Sequence, residues 1–227
     1  MTVDVPADVR DMYMVHTAFR REFRLLPGLV RAVAEGDVER AGVVAGHAAL
    51  LDGTLHHHHG MEDRHLWPLL LERVPDELEP LVHTMEGQHE GIDKLGVEVR
   101  ASLDSWRENA DSPSRERLAA AFEKLIPALE EHLGMEEQQV LPLMEKHISQ
   151  AEWSAMVQEG AASANPEDMP LMLGLMMYEG DPEVVDATIG QLPPEIQPVI
   201  REAAWNAFQA HSELVHGTTT PRRSTEW

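Results

Sequence analysis

The chain contains no cysteine. Disulfide frameworks, thiolate zinc sites, iron–sulfur clusters and cysteine nucleophiles are therefore excluded. Any bound metal must be held by imidazole and carboxylate. Basic residues are scarce too: 18 Lys and Arg stand against 40 Asp and Glu, a net charge of −22. Charge of that sign repels phosphate backbones and anionic lipid headgroups, so neither nucleic acid nor membrane is expected as a partner. No apolar run reaches the ~18 residues of a membrane span. The opening Met1-Thr2-Val3-Asp4-Val5-Pro6 lacks a basic and then apolar signal region, and a cytoplasmic location is the expectation. Aromatics make up only 5% of the residues, and alternating strand patterns bounded by turn dipeptides are missing. What remains abundant is Ala, Leu, Glu and Met, which favour helix; with 43% hydrophobic residues, a full core can form.

Against these absences stands an excess of histidine, 13 in all, and its placement repeats. His58-His59-Gly60-Met61-Glu62-Asp63 precedes Trp67-Pro68-Leu69; His132-Leu133-Gly134-Met135-Glu136-Glu137 precedes Leu141-Pro142-Leu143, 74 positions later. Upstream, His16 lies 42 residues before His58 and His89 lies 43 before His132. The first ~150 residues are thus a tandem duplication of a lone His followed by His-x3-Glu. Residues four apart share a helix face, so His58/Glu62 and His132/Glu136 are two same-facing donor pairs.

The helices follow from periodicity and breakers. One runs from Asp8 to about Leu26, where Pro27-Gly28 should kink or break it. Gly36-Asp37 closes that stretch, with Asp37 as a cap for the next helix. A second helix covers about 38 to 74, with a turn at Pro75-Asp76. A third runs from about Glu77 to Glu108. A fourth runs from about Ser114 to Ile148, capped by Ser112 and bent near Pro127. Four helices of this length with short turns imply an all-α, up-down-up-down bundle over residues 1–148. Residues 149–216 form a helical extension, with short helices near 151–160, 166–178 and 182–191 and a longer one near 194–215. It holds six of the fifteen prolines and many Met, and its apolar faces must pack on the bundle. Residues 217–227 read as a flexible tail.

Two such hairpins facing each other bring four His and two Glu to one point, a costly burial unless the groups pair or bind metal. The set His16, His58, Glu62, His89, His132, Glu136 resembles the hemerythrin-like, HHE cation-binding family over roughly residues 8–148. The ending His211 and His216-Gly217-Thr218 resembles that of longer actinobacterial-type members. The resemblance implies a four-helix bundle with two Fe ions, oxo- or hydroxo-bridged, with Zn or Mn as alternative metals. Glu62 and Glu136 would bridge; His16 and His58 would serve one iron, His89 and His132 the other. Hemerythrins proper offer His-x3-His on the third helix, whereas here Met85 stands four before His89. The seventh ligand is then Asp93, Glu86, or solvent. His57 and His59 flank His58 and read as outer or solvated groups, with His59-x3-Asp63 as the alternative register for the donor pair, and Asp63 and Glu137 as groups that support the ligands or face away. Tyr13 reads as core or as a hydrogen-bond donor to a bound ligand, and His47 as structural.

The expected function is binding or processing of O2, H2O2 or NO, for sensing or storage or for peroxide or NO detoxification. Catalase-like or NO-decomposing activity is one version; no catalytic base or nucleotide loop is indicated. The alternatives are an iron-centre repair or iron-donating protein, and a structural metal bundle whose extension binds a partner. Oligomeric state is not legible.

Overall fold

The computed structural model describes residues 5–73 and 75–227. The opening residues 1–4, read above for a signal region, and Val74 lie outside the described residues, as do the side chains of 75–77. The first helix, α1, spans Arg10–Ala32. Its expected break at Pro27 does not occur. An interior proline costs ~3 kcal/mol, but Phe23, Leu26 and Val30 on either side are all but fully buried, and each contributes ~1.5–3 kcal/mol. Packing therefore carries the helix past its breaker. Helix α4 runs through Pro127 in the same way.

Helix α2 begins at Val38, where the Asp37 side chain accepts from the Arg40 amide. Gly36 makes this turn with φ +80°, a conformation that suits glycine. Helix α2 runs Val38–Met61, widens into a π-helical turn at Glu62–Leu66, and continues as Trp67–Arg73. Helix α3 spans Pro75–Asn109, so Pro75 opens that helix rather than forming a separate turn. Helix α4 repeats the design of α2: Ser112–Met135, a π turn at Glu136–Val140, then Leu141–His147. Its cap is Asp111, which accepts from the Ser114 amide, one residue before the expected Ser112. The two π turns sit at matching positions of the repeat and have a common cause in the sequence. Pro68 and Pro142 lack an N–H and press on the preceding turn, so the ladder loosens by one residue just ahead of them.

Along each bundle helix the apolar stripe is interrupted once, at the same level. In α1 it reads Met12, His16, Phe19; in α2, Leu55, then His59 and Glu62, then Leu66; in α3, Met85, His89, Ile92; in α4, Leu129, then His132 and Glu136, then Val140. Two apolar cores result, one around Phe19, Leu51, Trp106 and Phe122, the other around Trp67, Leu70, Met85 and Met144. A polar layer lies between them.

The extension comprises α5 (Gln150–Ser163), α6 (Met169–Met177), α7 (Pro182–Gly190) and α8 (Gln197–His216). Helix α5 begins with a Ser149/Glu152 capping box. Beside it, Ala7 donates to the Ile148 carbonyl and Gln150 to that of Val5, so the chain start is pinned to the end of α4. Among the described residues this single bridge is the only β-type pairing. Met14 of α1 joins Leu173, Val185, Ile200 and Ala204 in a third apolar core. Helices α6 and α8 cross closely at Gly174, where a Cβ would stand 2.2 Å from the Ala204 carbonyl oxygen. After Gly217 the chain returns over α1 and α6: Tyr178 donates to the Pro221 carbonyl, and Ser224 donates to Glu179 through both its amide and its hydroxyl. No helix of the described residues is long and apolar enough to cross a membrane.

Candidate metal centre

Seven donors converge in the polar layer: His16 from α1; His58, His59 and Glu62 from α2; His89 from α3; His132 and Glu136 from α4. They form two groups, His16/His58/Glu62/Glu136 and His59/Glu62/His89/His132, each with its donor atoms within 4.8 Å of one another. Two ligands about 2.1 Å from one ion stand at most ~4.2 Å apart, so each group needs only a slight contraction to hold one. Glu62 belongs to both. Its Oε1 is 3.0 Å from His58 Nε2 and its Oε2 is 3.4 Å from His89 Nε2, so the carboxylate is aimed at both groups. Glu136 Oε2 lies 3.3 Å from His16 Nε2 and 3.9 Å from His132 Nε2.

Short as these separations are, none is a hydrogen bond. The Nε2 atoms of His16, His58, His59, His89 and His132 and both carboxylate oxygens of Glu62 and Glu136 are buried without a hydrogen-bond partner. Buried polar groups are nearly always paired, and leaving so many unpaired would cost more than a domain's net stability. Atoms that point past one another toward a shared centre fit a cation. The residues present thus fit a pair of metal ions, and the donor set of imidazole and carboxylate suits iron, zinc or manganese.

The outer nitrogens are held as metal-binding imidazoles require. His16 Nδ1 is 3.0 Å from Glu137 Oε1, itself bound by Arg20. His89 Nδ1 is 2.8 Å from Asp63 Oδ1, which accepts from the Trp67 indole. Asp63 and Glu137 are equivalent in the repeat, so each unit's extra acid orients the other unit's lone histidine. His132 Nδ1 lies 3.3 Å from Gln88 Oε1.

Electrostatics sort the groups. Burial opposes charge on every imidazole. At His16 the Glu136 carboxylate, helped by Glu137, outweighs it and the ring is pushed up to about 9. Asp63 and Glu62 do the same for His89, also to about 9. His58 and His132 are pushed down by burial, with neighbouring imidazoles adding, to about 3 and about 4. Burial and the Glu136 charge raise Glu62, while His16 holds Glu136 low against its own burial.

Six of the expected residues are brought together here, and two are not. Asp93 is exposed and lies against Arg100; Glu86 is exposed and faces His83. The inward stripe of α3 takes Met85, His89 and Ile92, which leaves residues 86 and 93 about 100° round the helix. In their place the structure supplies His59, read from the sequence as an outer or solvated group. It lies 6% exposed on the stripe of Leu51 and Leu55, and that spacing was its signal. Its counterpart in the second unit is Leu133, also buried, so the repeat gave no hint of a donor. Tyr13 is neither core nor turned to the layer; it is 40% exposed, with its hydroxyl 3.4 Å from the Glu137 carbonyl oxygen.

A cavity of about 280 Å³ opens onto His58 and Glu62. Bundle residues Val15 and Phe19 form its floor, and Trp153, Met156, Val157 and Ala161 of α5 roof it. On its wall Asp11 accepts from the Trp153 indole and is pushed up by burial to about 7. A second cavity, about 480 Å³, shares Thr54, His57, Ala161 and Met176 with the first.

A search of curated proteins and a search of solved structures each find no match. The profile of the Hemerythrin HHE cation binding domain matches residues 7–144, which takes in α1, α2, α3, all but the last three residues of α4, and all seven donor residues of the polar layer. The chain belongs to the hemerythrin HHE cation-binding domain family.

Proposed function

We propose that this protein holds two iron ions in the polar layer and uses them to bind or process a small ligand, O2, NO or H2O2. The observation that carries the reading is the set of seven residues, in two groups that share Glu62, whose nine inward donor atoms are buried and unpaired. His16, His58 and Glu136 would hold one ion, His59, His89 and His132 the other, with Glu62 between them. An iron pair in such a site supplies open coordination positions and one-electron steps. The protein's own part is to set the tautomers of His16 and His89 through Glu137 and Asp63 and to exclude bulk water with two apolar cores. It also leads ligands in through the cavity under α5. That cavity is lined mainly by carbon, which favours neutral molecules. Its position beside His58 and Glu62 makes the His16/His58 ion the accessible one.

Metal analysis and a visible spectrum on protein purified without added metal test the reading. Two irons per chain with oxo-to-iron charge-transfer bands that respond to NO or peroxide are expected. One redox-silent ion, or none, would overturn it in favour of a structural bundle. Iron that passes readily to a chelator without changing ligand response would point to an iron donor.

A further inference from the structure

A second cluster of titratable groups lies outside the polar layer, between the bundle and the extension. Glu22 of α1 is fully buried, His47 of α2 is 1% exposed, and His216 ends α8. Along their helices Glu22 is about 9 Å from His16 and His47 about 16 Å from His58, so the cluster is separate from the first. One donor atom from each of the three lies within 4.8 Å of the others, the same closeness found in the polar layer.

We propose that Glu22, His47 and His216 form a site for one divalent transition-metal ion of the zinc class, which clasps the end of α8 to the bundle. Two imidazoles and a carboxylate are a borderline-soft donor set, and three protein ligands leave a tetrahedral ion one position open. The unpaired atom here is His47 Nε2. It is buried and makes no hydrogen bond, although Glu22 Oε2 is only 3.3 Å away. Glu22 Oε1 accepts from Arg21 and Oε2 pairs with His216 Nε2, yet His47 Nε2 is left out of this pairing, as the five histidines of the polar layer are. On the far side of the ring, His47 Nδ1 is 3.0 Å from His211 Nε2. With His211 accepting, His47 keeps its proton on Nδ1 and turns a lone pair into the site, the outer contact that metal-bound imidazoles use.

Charge points the same way. Among the described residues one guanidinium is buried, that of Arg21, and it serves two carboxylates, Glu22 Oε1 at 2.7 Å and Glu179 Oε2 at 2.9 Å, with its third contact to the Leu175 carbonyl. One buried positive charge against two negative ones leaves room for a cation. His216 Nε2 is 3.1 Å from Glu22 Oε2 and stands at a helix C-terminus, where the dipole favours positive charge. Arg40 occupies the carbonyls of Leu214 and Val215 at that terminus, so it stands beside the site without filling it.

The test is equilibrium dialysis of the metal-stripped full-length protein against Zn2+, with ions counted per chain for wild type, His47→Gln and His216→Gln. Each variant should hold one ion fewer than wild type and lose the Zn2+-dependent part of its thermal stabilisation, while its layer ions are retained. Equal counts in all three proteins would overturn the proposal. Should the variants fold poorly, zinc-edge anomalous scattering from wild-type crystals decides alone. A peak between Glu22, His47 and His216 supports the clasp, and its absence at saturating Zn2+ overturns it, whatever metal the polar layer holds.

Discussion

On α2 the imidazole of His59 stacks on that of His89, ring centroids 4.1 Å apart and planes 13° from parallel, and meets His132 edge-on at 4.8 Å. Three imidazoles packed so closely with inward nitrogens unpaired read as a ligand face, and the exposed Asp93 and Glu86 have no part in it. His59→Ala should therefore lower bound iron from two ions toward one, whereas Asp93→Ala and Glu86→Ala should leave the count unchanged. Losing an outer partner alone weakens metal binding by ~10–100-fold, so losing a direct donor should cost no less. Metal analysis after dialysis at limiting iron measures this; full iron content in His59→Ala would remove His59 from the ligand set. The residue scale also shows where sequence reading stops. His58 and His132 were legible because the duplication repeats them. His59 was masked by that same duplication, since its counterpart is Leu133. The Glu22, His47 and His216 cluster carries no motif at all: its members are brought together only when α8 packs on the bundle.

At the scale of the element, the fold was legible because its strongest signals are local. The four bundle helices follow from apolar periodicity, and the cap of α2 from Asp37, whereas α4 is capped at Asp111, one residue before the expected Ser112. Breakers were over-read, since Pro27 costs the helix less than Phe23, Leu26 and Val30 contribute. The π turns at Glu62 and Glu136 were not legible, because a loosened ladder depends on how the helix packs around its proline. Helix α5 lays Val157, Gly160 and Ala161 across the opening beside His58, with His57 Nε2 3.1 Å from the Gly160 carbonyl oxygen. Ala161 borders both cavities, so filling it narrows the passage without touching a donor. Ala161→Trp should keep its iron and slow NO binding by about tenfold, the effect of ~1.4 kcal/mol on an access barrier. Stopped-flow mixing of the ferrous protein with NO gives the rate; an unchanged rate would mean that ligands reach the centre by another path.

At the scale of the whole molecule, the excess of negative charge becomes an argument about which ligands arrive. With 40 acidic and 18 basic residues, the surface potential is negative, and exposed ion pairs such as Arg31 with Glu116 and Glu123 contribute little to stability each. The charge therefore acts chiefly as a long-range field. A field of this sign slows an approaching anion and leaves a neutral molecule unaffected, and the carbon-lined cavity adds a desolvation cost for charge at the end of the path. Salt weakens the first effect but not the second, because the Debye length falls from ~30 Å at 0.01 M to ~3 Å at 1 M. Azide and hydrogen peroxide separate them, one charged and one neutral, both small enough for the 280 Å³ cavity. The association rate of azide with the iron-loaded protein should rise several-fold between low and high salt, while that of hydrogen peroxide stays flat. A flat azide profile would show that only the local charge at the centre matters, and that the acidic surface serves solubility rather than ligand selection.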